Sequence, residues 1–282
     1  MQGWRNPTVA DRFYAGNESD LRSQIEKCFT HAHGPGRVPE VKEGPRELIG
    51  LVSPHAGYPY SGPVAAHGFS KLAEDGKPES VVLIGPNHSA TGSDVALDSS
   101  DGWKTPLGRV PIDVDLRDEI LANVEIADLD SSAHSREHSL EVQLPFAQYL
   151  FGDDFQIVPI CMRRQDLTVC KALGKGIGET ISRDVLIVAS TDLTHYEPQK
   201  DAEEKDKEVI EKMEALDGEG LVNLVTERNF SVCGYGPVSS TIFAARSLVV
   251  ERGELFKYAT SGDIAGPSAR GVVGYCSYGF FR

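Results

Sequence analysis

The 282-residue sequence is short of several features that would assign a class at once. Its five cysteines (Cys28, Cys161, Cys170, Cys233 and Cys276) are odd in number and widely spaced, with no CxxC pair. That excludes both a secreted disulfide framework and a zinc knuckle. No run of Lys and Arg stands anywhere in a chain of net charge −14. Nucleic acids and anionic membranes need a cationic face, so neither is an expected partner. No apolar stretch reaches the length of a membrane span. The opening MQGWRNPTVADRF has no basic segment leading into an apolar one, so no signal peptide is expected and a reduced cytoplasmic location is.

What is present is an alternation. ELIGLVS (47–53), SVVLIG (80–85), FQIVPICM (155–162) and DVLIVAST (184–191) are almost continuously apolar, as strands covered on both faces are. Helical patterns fall at 19–30, 63–74, 137–150, 165–181, 200–216 and 237–251, the first with Ser19 or Asp20 as its cap. Residues 92–114 read as a β excursion around a Gly/Pro turn, and the C-terminal YATSGD and GVVGYCSYGFF add further β-type sequence. Strands alternating with helices imply an α/β fold with parallel pairs at the centre of the sheet. No composition break marks a linker, so residues 1–282 are expected to form a single domain.

Three of the four strand-like runs lead into a histidine. SPHAGYPYSG carries His55, GPNH carries His88 and STDLTH carries His195, each in a turn marked by Pro, Gly, Asn or Asp. Open α/β sheets bind ligands outside the carboxyl ends of their strands. Three imidazoles in that position suit metal ligation or proton transfer. Asp192 is either a turn residue or an acceptor that orients the ring of His195. Cys233, in a Gly-rich turn feeding a helix, is placed where a thiol pKa falls, which would make it a ligand or nucleophile. Two His and a thiolate suit iron, copper or zinc. In SREHSLEVQLPF a helix would set His138 and Glu141 at i and i+3. They are either a surface ion pair or groups aimed into the pocket. His31 and His33 sit in a Gly/Pro loop whose composition favours solvated histidines, and His67 reads as a packing or surface residue.

Taken together, RNPTVADRFY, PHAGYPYSG, IGPNH, WKTPLGRVPID, EHSLEVQLPF, STDLTHY, CGYGP and SGD resemble the Memo family, also named as protein B of the AmmeMemoRadiSam system, nearly end to end. The resemblance implies a single-domain, LigB-like α/β fold with a mixed, largely parallel sheet flanked by helices, as in class III extradiol dioxygenases. It places the metal on His55, His88 and Cys233 and an acid/base group on His195, with Asp192, His138 and Glu141 near the pocket. It also implies a functional link to a radical-SAM protein. Cys233 departs from the two-His-one-carboxylate set of the dioxygenases, and a thiolate is itself oxidisable. Ring cleavage therefore does not carry over. The expected function is that of a metal-binding redox enzyme using iron or copper. The alternatives are a non-catalytic module holding a peptide or phenolic ligand in the same pocket, and a hydrolase with Cys233 as nucleophile and His195 as base.

Overall fold

The computed structural model describes residues 3–181, 184–250 and 252–282. Its strands in chain order are β1 (Trp4–Arg5), β2 (Leu48–Ser53), β3 (Ser80–Pro86), β4 (Val95–Leu97), β5 (Gly102–Thr105) and β6 (Gly108–Pro111). They continue with β7 (Asp128–Leu129), β8 (Gln156–Met162), β9 (Val185–Ser190), β10 (His195–Glu197), β11 (Arg252–Thr260) and β12 (Val272–Phe281). The helices are α1 (Glu18–Thr30), α2 (Tyr58–Asp75), α3 (Val114–Asn123), α4 (Leu144–Phe151) and α5 (Leu167–Thr180). After them come α6 (Gln199–Glu214), α7 (Gly218–Glu227), α8 (Tyr235–Ser247) and α9 (Ser261–Ala265).

One mixed sheet runs β10-β12-β2-β9-β3-β8-β4-β7, with β11 added against β12. Its centre is parallel: β2 pairs with β9, β9 with β3, and β3 with β8. The flanks turn antiparallel where β12 meets β2 and where β4 meets β8. Of the expected 92–114 excursion, β5 and β6 pair with β1 in a separate small sheet, while β4 joins the main one. The four apolar runs are the four central strands, and alternation along them explains their uniform hydrophobicity. Val81 and Leu83 face a core shared with Phe29 of α1 and Phe69 of α2. Val82 and Ile84 face the opposite core, shared with Leu173 of α5 and Ala244 of α8. Both layers exclude water, so neither face of these strands needs polar residues.

Four local readings change. The first helix is capped by Asn17, which accepts from the Asp20 amide, and not by Ser19 or Asp20. α2 begins at Tyr58 instead of 63, because Pro59 sits in its first turn, where no amide partner is needed. The expected helix over 137–150 is not continuous: a 3-10 turn, Glu141–Gln143, precedes α4 at Leu144. α3 and α7 add two helices that the apolar pattern does not mark. Among the described residues no helix is long and apolar enough to cross a membrane.

Candidate metal centre

β2 delivers His55 to the rim of the sheet, two residues past Ser53 and three before α2. The ring is buried, and its Nδ1 lies 2.8 Å from Ser190 Oγ at the end of β9. Ser190 gives its own proton to the Ser139 carbonyl at 2.7 Å and receives Gln143 Nε2 at 3.0 Å. A hydroxyl has one proton to give, so towards His55 Ser190 acts as acceptor. Nδ1 therefore carries hydrogen and the lone pair sits on Nε2. Burial, reinforced by the facing rings of His138, His88 and His195, holds the His55 pKa well below its usual value. The ring is a neutral donor, aimed by its neighbours.

His88 is aimed in the same way by a different partner. Its backbone amide donates to Glu137 Oε2 at 2.5 Å, and its Nδ1 lies 3.0 Å from Glu137 Oε1. The amides of His138 and Ser139 each donate to that Oε1 at 2.8 Å. Burial opposes ionisation of Glu137, but the His88 hydrogen bond, the neighbouring imidazoles and the Ser139 amide outweigh it and hold the carboxyl at about 2. The charged carboxylate accepts only, so Nδ1 of His88 is the protonated nitrogen and Nε2 is left as donor. Burial lowers the His88 pKa, yet the bond to Glu137 wins and the net shift is upward. Glu137 is absent from the sequence reading, because its partner lies 49 positions away.

Cys233 completes the group from the turn before α8. Its Sγ lies 3.2 Å from His55 Nε2 and accepts from the Asp192 amide at 3.2 Å. Gly234 makes this approach possible, since a Cβ there would stand 2.3 Å from the Ser190 carbonyl oxygen. Contrary to expectation, the protein alone does not favour the thiolate: burial, with the nearby Asp192 charge, pushes the Cys233 pKa up. Desolvation outweighs any helix-terminus effect here.

Donor atoms of His55, His88 and Cys233 all lie within 4.8 Å of one another. His88, Glu137 and His138 form a second such group, but there Glu137 and His88 already satisfy each other. In the first group two imidazoles with free Nε2 lone pairs and a sulfur lie close enough to share one ion. The donor set fits a metal ion, which His55, His88 and Cys233 would hold.

The other expected site residues divide. His195 opens β10 and lines the same cavity as His55 and His88. Its Nδ1 meets the carbonyls of Leu193 at 2.8 Å and Ser231 at 2.7 Å, which makes Nδ1 the N–H and leaves Nε2 free to accept a proton. Asp192 does not orient that ring, because the two carbonyls already do. Its Oδ1 accepts from the His55 amide at 2.8 Å. Burial first, only partly offset by that amide, raises the Asp192 pKa to about 6.

His138 lies in a turn, not on a helix, and stacks on His88 with ring centroids 4.7 Å apart. Burial lowers its pKa to about 4. Glu141 does not line the cavity. It is fully buried, bonded to Arg5 Nη1 at 2.7 Å, to the Thr8 and Val9 amides at 2.9–3.0 Å and to Tyr14 Oη at 2.7 Å. It anchors the N-terminal segment. That segment in turn supplies Phe13 to the cavity wall, against His138 at 4.6 Å. His67 is half-buried and bonds the His33 carbonyl, while His134 is buried between the Ala96 carbonyl and Cys161 Sγ.

The cavity above the cluster has a volume of about 680 Å³, walled by Phe13, Tyr60, Tyr196 and Tyr275, with residues 265–268, 270 and 271 along one side. It has the size of a small-molecule site. Fold and site thus define a mixed α/β protein with a cluster of imidazoles and a thiol at one rim of its sheet.

The chain belongs to the Memo family: the Memo-like protein model matches residues 5–278. A MEMO1 family protein of Methanopyrus kandleri is 47% identical over 99% of both chains. One of Methanothermobacter thermautotrophicus is 45% identical over 96% of this chain and 98% of its own. Among solved structures, an uncharacterized protein from Escherichia coli K12 superposes with TM-score 0.60 at 14% identity, over 82% of this chain and 99% of its own, a likeness of fold.

Proposed function

We propose that this protein is a metal-dependent redox enzyme, with iron or copper held by His55, His88 and Cys233. The observation that carries the reading is the matched orientation of the two imidazoles. Ser190 and Glu137 each accept a hydrogen bond from an Nδ1–H, and both Nε2 lone pairs are thereby left for a common ligand. Such outer partners are the usual companions of metal-binding histidines. Bound there, the metal would supply one-electron chemistry and a Lewis-acid centre beside the cavity. His195 Nε2 takes or returns the proton of a small substrate, while Leu193 and Ser231 keep the ring in the tautomer that can do so. Asp192 holds the His55 turn in place through the amide. Five free thiols suit work in a reducing, cytoplasmic compartment.

The test is anaerobic purification followed by elemental analysis. Near-stoichiometric iron or copper, lost in Cys233→Ser and His88→Ala, is the expected result. A protein that arrives without metal and takes up none on titration overturns the reading. The exposed rim phenols Tyr60 and Tyr196 favour a second use of the same cavity, as a non-catalytic binder of a phenolic or peptide ligand. Ligand binding without turnover under any metal would select it.

A further inference from the structure

Arg270 stands at the mouth of the cavity, and it is the one lysine or arginine among the residues that line it. It lies in an exposed loop that leaves α9 at Gly266 and enters β12 after Gly271. Both glycines have positive φ, +91° and +84°. Gly271 also lies against the turn that carries Tyr196, since a Cβ there would stand 2.6 Å from the Tyr196 carbonyl carbon and from the Glu197 oxygen. No other residue type combines that φ with that contact. Two residues on from Gly271, Val273 pairs with His195. The loop, Tyr196 and the proton-accepting imidazole are therefore built on one pair of strands.

Tyr196 is itself unusual. Its φ is +57°, and 71% of the residue is exposed. A bulky side chain in left-handed backbone is strained, and it is left in water at the edge of a cavity. Arg270 has no carboxylate within ion-pair distance among the described residues, although the chain carries 42 acidic side chains against 28 Lys and Arg. In so acidic a protein a cavity-lining arginine without a carboxylate partner is suited to receive an anion.

We infer that the cavity takes a small aromatic carboxylic acid, its ring against the aromatic wall of Phe13, Tyr60 and Tyr196 and its carboxylate on Arg270. Wall and dock are separate observations that meet at one mouth. A single guanidinium, set against the Asp192 carboxyl and a net charge of −14, suits a monoanion better than a phosphate dianion. The inference deepens the proposed function by naming the substrate class of its site.

The test compares binding of 4-hydroxybenzoate, phenyl phosphate and phenol to the purified protein by calorimetry at neutral pH. It needs no turnover and no metal count, so it is decided separately from the metal assignment. We expect 4-hydroxybenzoate to bind about tenfold tighter than phenol, the lower range for a charge-assisted hydrogen bond. Arg270→Gln is expected to abolish that preference and leave phenol affinity unchanged. Equal affinities in the parent protein, or a preference that survives Arg270→Gln, would overturn the inference. Loss of phenol binding in the variant would make Arg270 part of the wall and overturn it as well. Phenyl phosphate binding tighter than 4-hydroxybenzoate would overturn the choice of a carboxylate.

Discussion

Ser190 Oγ lies 2.8 Å from His55 Nδ1 while giving its proton to the Ser139 carbonyl, and this pairing decides which nitrogen of His55 can bind a metal. Ser190→Ala removes the acceptor and frees the ring to adopt the other tautomer. Metal affinity is expected to fall roughly 10-fold, within the range for loss of an outer partner. A competition titration against a chelator measures it, and nitrogen NMR of the imidazole reports the tautomer directly.

Glu137 does the same for His88 with a full charge. Glu137→Gln keeps the shape but turns an amide towards the N–H groups that the carboxylate accepted. We expect a loss of about 10–100-fold in metal affinity, larger than for Ser190→Ala. Equal affinities in parent and variant would break the link between this carboxylate and the site.

The same carboxylate gives a pH signature in the folding equilibrium. Its pKa is held at about 2, below its ordinary 4.5. A depressed carboxyl stabilises the fold above its unfolded pKa, and that contribution disappears as pH falls through the folded value. The shift corresponds to a few kcal/mol. Stability measured by denaturant between pH 5 and pH 2 should therefore fall more steeply in the parent than in Glu137→Gln.

Metal uptake should release a proton. The Cys233 thiol stands 3.2 Å from His55 Nε2, with its pKa raised by burial, so at pH 8 sulfur keeps its hydrogen until a metal displaces it. Titration in weak buffer is expected to liberate about one proton per ion bound. Cys233→Ser should lower both the affinity and that yield.

Glu141 separates architecture from chemistry. Its ion pair with Arg5 is buried on both sides, and Arg5 also lies 4.0 Å over the Trp103 ring. Removing one partner of a buried pair costs about 3–5 kcal/mol. Glu141→Gln is expected to lose stability on that scale in chemical denaturation and still bind metal stoichiometrically. His195→Ala should do the reverse, keeping metal and stability while turnover falls about 10²- to 10⁴-fold.

Legibility in the sequence followed the range of the interaction. The four central strands are readable because both their faces are buried, so each is a continuous apolar run. The three histidines are readable because each follows such a run into a turn. α3 is hidden because only Arg117 and Ile120 are buried along it. The start of α2 is hidden by Pro59 and by Pro63 within the helix. Ser190 and Glu137 escape for a different reason. They act on residues 135 and 49 positions away, and no local pattern records that a serine at a strand end will meet an imidazole from another strand. For the same reason local pattern left Asp192 open between a turn and the His195 ring, when its partner is the His55 amide. It left Glu141 open between an ion pair and the pocket, when it anchors the N-terminal segment.

The tether at Glu141 makes the beginning of the chain a structural lining for chemistry encoded far downstream. Phe13 touches His138 from a segment whose Arg5, Thr8, Val9 and Tyr14 are all fastened to one carboxylate. Trimming or tagging the protein inside its first fifteen residues would unroof the cavity while leaving all three donor side chains intact. Such a preparation would retain its metal and lose its grip on a ligand.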